Sequence, residues 1–429
     1  MEYIKIREAL NKKGGEEVKL RGWIYRKRSS GKIAFIVLRD SSGIIQTVVE
    51  KKDVGEEEFK AAKKALIESS VEIEGIIYED ERAPGGKELH AKRFKVISFA
   101  KEFPITEYQS VEFLLDNRHL WLRSRKLTEV MKLKAKVLRL IRQWFYENDF
   151  YEVTPSVITL NAAEGGATAF SFDYFGQKAY LSQTAQMYLE ALIFSLERVW
   201  SLTPSFRAEK SRTRKHLTEY WHLEAEEAWV DNEGNMKIQE ELVSYVCQNI
   251  VKDAKDELEF LGRDTKTLKN IEPPFKRIKY KDAIKKLQDA GFDIKWGDDF
   301  GAPHERALVE GEDKPIFITH FPAESKAFYM KLSPDKKTVE CADMLAPEGY
   351  GELIGGSERS EDIDSMINRL KKEGAKIENY EWYFDLRRYG SVPHSGFGLG
   401  MERLLCWIAK LEHIRDATPF PRLLRRAYP

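Results

Sequence analysis

The stretch that most constrains the fold is residues 201–229, SLTPSFRAEKSRTRKHLTEYWHLEAEEAW. An apolar run ends at Phe206, a loop rich in Lys, Arg and His follows, and residue types alternate again from Tyr220 to Glu226. This pattern predicts two strands joined by a long cationic loop. Arg207 stands at the root of the loop, where its planar, bidentate guanidinium suits a polyphosphate better than a mobile lysine would. Taken alone, the stretch is equally typical of an exposed charged hairpin.

A second, distant stretch at residues 390–422 favours the polyphosphate site. Gly396, Gly398 and Gly400 alternate along a predicted strand, where missing side chains would let a flat ligand lie against the backbone. Glu402 and Arg403 then begin an apolar helix. The glycine pattern alone is also explained by tight packing between strand and helix, but the two stretches together predict a nucleotide site.

The two stretches resemble the motifs of the class II aminoacyl-tRNA synthetases, in their aspartyl and asparaginyl branch. FRAE with RTRKHLTEYWHLEAE resembles motif 2, GLGMER with HIRDATPFPR resembles motif 3, and residues 129–155 resemble motif 1. Three motifs in the right order are far more specific than one glycine pattern. The resemblance covers essentially the whole chain. It implies an α+β fold class, with an OB-fold β-barrel at residues 1–102, a linker at 103–128, and a catalytic domain at 129–429 whose antiparallel sheet is flanked by helices.

The residues of the N-terminal region independently predict a small barrel. Three strand-like segments precede a helical segment, and two more strands follow, which is the order of an OB barrel that binds single-stranded nucleic acid. A generic small barrel is the alternative, but aromatic rings beside cations near Trp23 and Phe35 favour nucleic acid. The predicted segments are 18–25, 32–38, 44–50, 56–67 (helical), 71–78 and 89–99.

The resemblance assigns this barrel to the tRNA anticodon. It implies that Phe35 stacks on an anticodon base, that Gln46 reads the central uridine, and that Glu88 makes a third contact. Arg26 and Arg28 follow the first predicted strand, beside its aromatic residues, where guanidinium groups can hold phosphates.

Residues 129–149 predict a long amphipathic helix that ends near Asn148. Packing of its apolar face into a core is one interpretation. The family uses motif 1 as its dimer interface, so the resemblance implies a two-fold homodimer. The apolar positions at helical spacing are Val130, Leu133, Val137, Leu140, Ile141 and Trp144.

The resemblance implies that the chain activates an amino acid with ATP and Mg²⁺. A carboxylate nucleophile is already ionised at neutral pH, so the reaction needs in-line positioning and charge neutralisation. Arg207 and Arg403 are the predicted catalytic residues, on the α- and γ-phosphates. Glu352 and Asp343 would hold magnesium, and a salt-bridge or capping role is the alternative for this pair. The predicted ATP-binding residues are Arg207, Glu209, Arg214, His216, Leu217, Tyr220, Glu352, Gly400 and Arg403.

Four residues are predicted to bind the amino acid. The resemblance implies that Glu164 and Gln186 hold its ammonium group and that Arg359 reaches its side chain. Glu190 lies four residues after Gln186 on a predicted helix, hence on the same face. The aspartyl branch has QxYK here, whereas this chain has QMYLE, with no lysine and an added carboxylate. A glutamate accepts from the amide of asparagine and repels the carboxylate of aspartate. We therefore predict asparagine as the substrate and tRNA(Asn) as the partner, as in archaeal-like members of the family.

Three rival functions remain. An aspartyl enzyme that accepts both tRNAs is disfavoured by Glu190, and an asparagine-forming amide ligase is disfavoured by the complete anticodon barrel. An inactive nucleic-acid-binding relative is disfavoured because Arg207 and Arg403 are both present.

Two positions depart from the family. Lys215 stands where arginine is usual, and Glu358, inside GGSER, is expected to point outward.

The composition of the chain indicates the cellular compartment in which the protein works. The chain has 70 basic and 70 acidic residues, so any nucleic-acid surface must be local. Its three scattered cysteines favour a reducing compartment and give no reason to expect zinc. Since no apolar run approaches the ~20 residues of a membrane span, we expect a cytoplasmic protein without a membrane partner.

Overall fold

The computed structural model describes residues 2–161, 168–210 and 213–429. The chain divides into two compact units, Met1–Leu114 and Leu115–Pro429. The boundaries predicted from the sequence, after residues 102 and 128, stay predictions.

Arg118, inside the predicted linker, belongs to the second unit. Its guanidinium is buried and donates hydrogen bonds of 2.9 Å to the backbone carbonyls of Arg415, Thr418 and Pro419. This part of the linker is therefore anchored to the C-terminal segment.

Residues 2–114 form the predicted OB barrel, which is closed by five strands; the first pairs with the second and the fourth, and the fifth lies between the third and the fourth. Buried residues alternate with more exposed ones along most of the second, third and fourth of these strands, so one face fills the barrel with aliphatic side chains. The helix predicted between the third and fourth strands is present. The elements are Ile6–Leu10 (α1), Glu17–Ser30 (β1), Ile33–Arg39 (β2), Ile44–Glu50 (β3), Lys51–Val54 (α2), Glu56–Lys64 (α3), Ser70–Glu79 (β4) and Lys87–Ser98 (β5).

The described part of the second unit contains an eight-stranded sheet and a small three-stranded sheet. The strands are Tyr151–Glu152 (β6), Ile158–Thr159 (β7), Ser171–Tyr174 (β8), Gln177–Leu181 (β9), Arg198–Phe206 (β10), Glu219–Ala228 (β11), Lys276–Lys279 (β12), Ile316–Thr319 (β13), Cys341–Ala346 (β14), Gly351–Glu358 (β15) and His394–Gly400 (β16). The large sheet runs β12, β13, β14, β15, β16, β11, β10, β6. Its centre is antiparallel as expected, but both edge pairs, β12 with β13 and β10 with β6, are parallel, so the sheet is mixed.

Several of the helices that follow the barrel pack into one apolar core with this sheet. The helices are Val111–Asp116 (α4), Arg118–Trp121 (α5), Arg125–Glu147 (α6), Gln186–Leu196 (α7), Asn232–Asp253 (α8), Lys255–Phe260 (α9), Thr265–Lys269 (α10), Tyr280–Asp289 (α11), Ala302–Leu308 (α12), Ile363–Lys372 (α13), Glu381–Arg388 (α14) and Met401–Ala409 (α15). The motif 1 helix α6 begins after Ser124, whose hydroxyl accepts from the backbone N–H of Leu127. All six of its predicted apolar positions are buried.

Two further properties of the described residues bear on the sequence expectations. None of their helices combines the length and the apolar character of a bilayer span. Cys247, Cys341 and Cys406 are all buried as thiols. Burial raises the pKa of Cys341 and of Cys406 to about 12, which makes these thiols poor nucleophiles.

Candidate active site

The site is built on three neighbouring strands, with β11 beside β16 and β16 beside β15. Strand β10 pairs with β11 from Arg198 to Phe206, which confirms the predicted strand, loop, strand arrangement. Along β11, His222, Glu224 and Glu226 occupy alternate positions and therefore share one face of the sheet. Each of them is buried, so this strand delivers a row of polar side chains to the interior.

The alternating glycines of β16 make room for that row. Gly400, Gly398 and Gly396 lie opposite His222, Glu224 and Glu226 in the register. A side chain added at Gly396 would place its Cβ 2.2 Å from the carboxylate carbon of Glu226, and one at Gly398 would lie 2.4 Å from His222 Nε2. The sequence suggested that these glycines make room for a ligand. In the structure, Gly396 and Gly398 make room for the side chains of Glu226 and His222.

The predicted ATP-binding residues converge on one cavity. Every member of the set except Arg214 lines it, together with Lys215, His222, Gly398 and Glu402. Burial, then the facing charges of Arg207 and Arg403, lower the pKa of the enclosed His222 far below its usual value. The same two arginines add to the effect of burial in lowering the pKa of His216. Arg207 and Arg403 thus bring to the cavity positive charge that is suited to phosphate groups, although glutamates also line it.

Arg214 lines an adjoining cavity of about 700 Å³. This space shares Lys215, His216, Glu352 and Arg403 with the first cavity. The unusual Lys215 keeps the charge that an arginine would bring, and its ammonium lies 3.0 Å from Glu305 Oε2 on α12. The structure therefore does not bring Arg214 to the cavity that holds the other predicted ATP-binding residues.

A further cavity, of about 630 Å³, holds the predicted amino-acid-binding residues Gln186 and Arg359. It shares Arg207, His222, Glu352 and Gly398 with the first cavity. Arg207 therefore faces both spaces, which is the position required of a group that acts where two bound molecules react.

A buried ion pair forms part of the wall of this cavity. Arg359 donates from Nε to Glu226 Oε2 over 3.2 Å and also from Nη2 to Glu226 Oε1. Its third nitrogen donates to Ser357 Oγ over 2.7 Å. Sequence reasoning missed Glu226, although the alternation in YWHLEAE and the facing glycines carried the information that this residue points into the site.

Glu190 is not at the cavity wall, contrary to its predicted role as an amide acceptor. It is completely buried behind Gln186, which donates to Glu190 Oε1 over 3.0 Å. Arg387, His394 and Tyr383 also bond to its carboxylate, at 2.6, 3.0 and 2.7 Å. The helical spacing correctly placed Gln186 and Glu190 on one face of α7. Only Gln186 lines the cavity, however, and Glu190 lies one turn further along, inside the protein. The direct contact predicted for Glu190 therefore has no geometric support.

The two predicted magnesium ligands do lie together. Asp343 and Glu352 flank Gly355, where an added Cβ would lie 3.5 Å from Asp343 Oδ1 and 3.4 Å from Glu352 Oε1. Lys326, which the sequence did not single out, pairs with Asp343 Oδ2 at 2.6 Å. Burial raises the pKa of Asp343 to about 6, with Lys326 opposing and Glu352 reinforcing the rise. Two crowded carboxylates of this kind suit a hard divalent cation that completes its shell with phosphate oxygens.

Two other predicted residues have different outcomes. Glu358 is buried rather than outward, and its carboxylate pairs with Lys331 and accepts from the backbone N–H of Asn232 over 3.4 Å. Neither contact involves the neighbouring Arg359. Glu164, predicted to hold the ammonium group, lies outside the described residues.

On the barrel, the five predicted anticodon residues share the outer face. Arg28 lies over the ring of Phe35 with its guanidinium carbon 4.7 Å from the ring centre. Gln46 Nε2 donates to Glu88 Oε2 over 2.9 Å. Arg26 lies on β1 opposite Val37 of β2. A ring, a guanidinium and fixed polar groups on one sheet face form a surface suited to unpaired bases.

Similarity to known proteins agrees with this geometry. Residues 110–424 match the family of class II tRNA synthetases (D, K and N), and residues 18–97 match the OB-fold nucleic acid binding domain. The chain is 56% identical to asparagine–tRNA ligase of Thermococcus kodakarensis over 97% of this chain and 96% of that protein.

Solved structures give the same result. Asparaginyl-tRNA synthetase from Pyrococcus horikoshii, complexed with asparaginyl-adenylate, superposes with a TM-score of 0.96 at 53% identity, over all of both chains. Aspartyl-tRNA synthetase from Entamoeba histolytica gives a TM-score of 0.85 at 25% identity, over 100% of this chain and 93% of that one.

Proposed function

The chain belongs to the class II tRNA synthetases of the D, K and N group, and from that premise we propose that it uses ATP to attach asparagine to tRNA(Asn). The observation that carries the choice of amino acid is the Glu226–Arg359 pair on the wall of the second cavity. A carboxamide offers both an N–H₂ donor and a carbonyl acceptor. Glu226 would accept from the first, and Arg359 would donate to the second.

The same pair rejects aspartate. The side-chain carboxylate of aspartate has no hydrogen to give Glu226 and would be repelled by its charge. A site built around a hydrogen bond rejects an analogue that lacks the donor by about 10⁴-fold or more, because the buried acceptor is left unmatched. Glu226 thus takes the part that sequence reasoning gave to Glu190.

Adenylate formation needs positioning and charge neutralisation. The carboxylate of asparagine attacks the α-phosphorus of ATP, the bond to the β-phosphate breaks, and pyrophosphate leaves with the electron pair. Arg207, which faces both cavities, would neutralise the α-phosphate as the charge moves. Arg403, at the boundary with the adjoining cavity, would hold the distal phosphates. The 3′-hydroxyl of the terminal tRNA adenosine then attacks the carbonyl carbon, and AMP leaves.

Magnesium would be held by Glu352 and Asp343. When bound, it would neutralise phosphate charge as the leaving group departs. Arg403 donates to the carboxylate of Glu352 over 3.4 Å and to its backbone carbonyl over 3.1 Å, which ties the orientation of this carboxylate to the arginine of motif 3. Lys326 would balance the second negative charge at Asp343.

The tRNA would contact both units, with its anticodon on the barrel and its 3′ end at Arg207.

We place the reaction in the cytoplasm, where translation consumes the product. A reducing compartment is supported by the three buried thiols.

We expect a homodimer formed through motif 1. Tyr146 on α6 and Tyr151 on the edge strand β6 are 84% and 57% exposed, and a second copy would cover such rings. Sedimentation equilibrium at micromolar concentration is expected to give twice the chain mass. The variant Tyr146→Glu/Tyr151→Glu is expected to sediment as a monomer, whereas Tyr428→Glu, at a ring outside motif 1 that is 69% exposed, stays dimeric. A wild-type monomer would contradict the assignment.

Each rival meets a specific obstacle. The aspartyl reading is opposed by Glu226 beside Arg359 and by the lower identity to aspartyl enzymes. An amide ligase would not need the barrel with its row of anticodon residues. An inactive relative would not need both Arg207 and Arg403 at the same cavity.

The proposal is tested by ATP–pyrophosphate exchange, which reports adenylate formation without tRNA. Asparagine is expected to support exchange with a kcat/KM about 10⁴-fold above that for aspartate. Exchange with aspartate at a similar efficiency would instead support the aspartyl function. Absence of exchange with either amino acid would favour the inactive relative.

A further inference from the structure

The outer face of the barrel continues beyond the predicted anticodon residues. Strand β5 lies between β3 and β4, with Glu88 opposite Gln46 on one side and Tyr78 on the other. Ile77 and Leu89 are completely buried, so their neighbours Tyr78, Glu88 and His90 point outward. A row of outward side chains therefore runs from Gln46 across Glu88 to Tyr78.

The side chains at the end of this row hold one another. His90 Nε2 lies 2.7 Å from Glu88 Oε1, while Gln46 Nε2 donates to the other oxygen over 2.9 Å. The rings of Tyr78 and His90 lie 4.3 Å apart, centre to centre, at an angle of 43°. Glu88 is thus oriented from both sides. An ionised carboxylate has about four acceptor positions, so lone pairs remain for further donors.

Tyr78 also presents an open surface. It is 46% exposed although it packs on His90. An exposed aromatic ring beside a fixed hydrogen-bond acceptor is the arrangement by which proteins hold an unstacked base, since the ring covers its face and the acceptor reads its edge. The position is continuous with Gln46, and Phe35 lies on β2, the strand on the other side of β3.

We propose that Tyr78 and His90 complete a second base-binding subsite on the barrel. Tyr78 stacks on an unpaired base next to the one read by Gln46, and Glu88 accepts from N–H groups on the edge of that base. His90 is a positioning residue that fixes the carboxylate of Glu88. This inference rests on the proposed function, because it presumes that the barrel binds an anticodon.

The test is the steady-state charging of a tRNA(Asn) transcript. Replacing Tyr78 by leucine is expected to raise KM for tRNA about 10-fold, within the range for loss of one stacked base, with a much smaller change in kcat. Tyr78→Phe keeps the ring and is expected to stay within about twofold of wild type. Phe99→Leu is the matched control, since Phe99 is 48% exposed but lies just beyond the far end of β5.

His90 is tested through discrimination rather than affinity. The readout is the ratio of kcat/KM between tRNA(Asn) and transcripts substituted at either base beside the central uridine. His90→Leu is expected to lower this ratio about 10-fold at one of the two positions, since an unfixed acceptor loses selectivity. His90→Gln, whose amide still donates to Glu88, is expected to restore most of it.

The outcomes separate this inference from the proposed function. If wild type charges tRNA(Asn) while Tyr78→Leu leaves KM unchanged, or Phe99→Leu raises it equally, the subsite is wrong and the proposed function stands. If wild type does not charge tRNA(Asn) with asparagine, both fail. If Tyr78→Leu does not fold, Tyr78→Thr decides, since it also removes the ring and is expected to raise KM for tRNA about 10-fold.

Discussion

Replacing Arg207 by alanine is expected to slow asparagine-dependent ATP–pyrophosphate exchange by about 1000-fold. Arg207 lies at the junction of the two cavities, where the nucleophile and the α-phosphate would meet. Its guanidinium carbon lies 5.6 Å from the ring centre of Tyr220, within the range of a cation–π contact. A preorganised cation that faces developing charge needs no reorganisation during the reaction, so its removal lowers kcat more than it raises KM.

Two variants make this prediction specific. Arg207→Lys keeps the charge but loses the planar fork, so we expect an intermediate defect. Arg139→Ala removes an exposed arginine on α6 that pairs with Asp253, outside the three cavities described above, and exchange is expected to stay at the wild-type rate. An Arg207→Ala enzyme that is folded and within about tenfold of wild type would contradict the catalytic role, since one lost donor normally costs more.

Glu226→Gln is expected to lower kcat/KM for asparagine about 100-fold, because a hydrogen bond to a charged acceptor is lost. The preference for asparagine over aspartate is expected to fall as well, since the new amide can donate to the carboxylate of aspartate. Parallel exchange assays with both amino acids measure this ratio. An unchanged ratio would show that another residue selects the amino acid.

Glu190→Gln is the matched control for Glu226→Gln, because it replaces the same type of side chain at a position that does not line the cavity. Its expected effect is on stability, a loss of about 3–5 kcal/mol in the free energy of unfolding, since Arg387 is left buried without its partner. The ratio of asparagine to aspartate exchange is expected to change little. Urea unfolding of the wild type and the variant measures the difference.

The pH dependence of that difference follows from the pKa of Glu190. Burial alone would raise this pKa, but Arg387 and His394 outweigh it and hold it below its usual value. The folded protein therefore binds this proton less readily than the unfolded chain. The stabilisation is fully present above the unfolded pKa of about 4.3 and is lost as the pH falls toward the folded value.

Much of the fold could be predicted because local patterns dictate it. Alternating apolar residues and turn residues located all five barrel strands, and the apolar spacing from Val130 to Trp144 located the motif 1 helix. The parallel edge pairs of the large sheet could not be predicted, since they depend on which distant segments meet. The convergence of Arg207 and Arg403 on one cavity was predicted by combining two distant stretches and from the family resemblance, since no local spacing relates these residues.

The amino-acid site shows why spacing has limits. Helical periodicity correctly put Gln186 and Glu190 on one face, but it does not say what packs against that face. The partners of Glu190 come from α14 and β16, about 200 residues further along the chain. Glu226 could have been predicted from the two-residue alternation of side chains along a strand, which places it on the same face as His222 and opposite a glycine of β16. Lys326 had no sequence pattern to mark it.

The most direct test of the central claim is aminoacylation by the wild-type protein, with radiolabelled asparagine and aspartate offered in parallel to tRNA(Asn) and tRNA(Asp). Asparagine attached to tRNA(Asn), with no other combination charged at a comparable rate, is the predicted result. This result would support both the anticodon-binding role of the barrel and the selection of asparagine by the Glu226–Arg359 pair. Aspartate attached to either tRNA at a comparable rate would contradict the account of the amino-acid site.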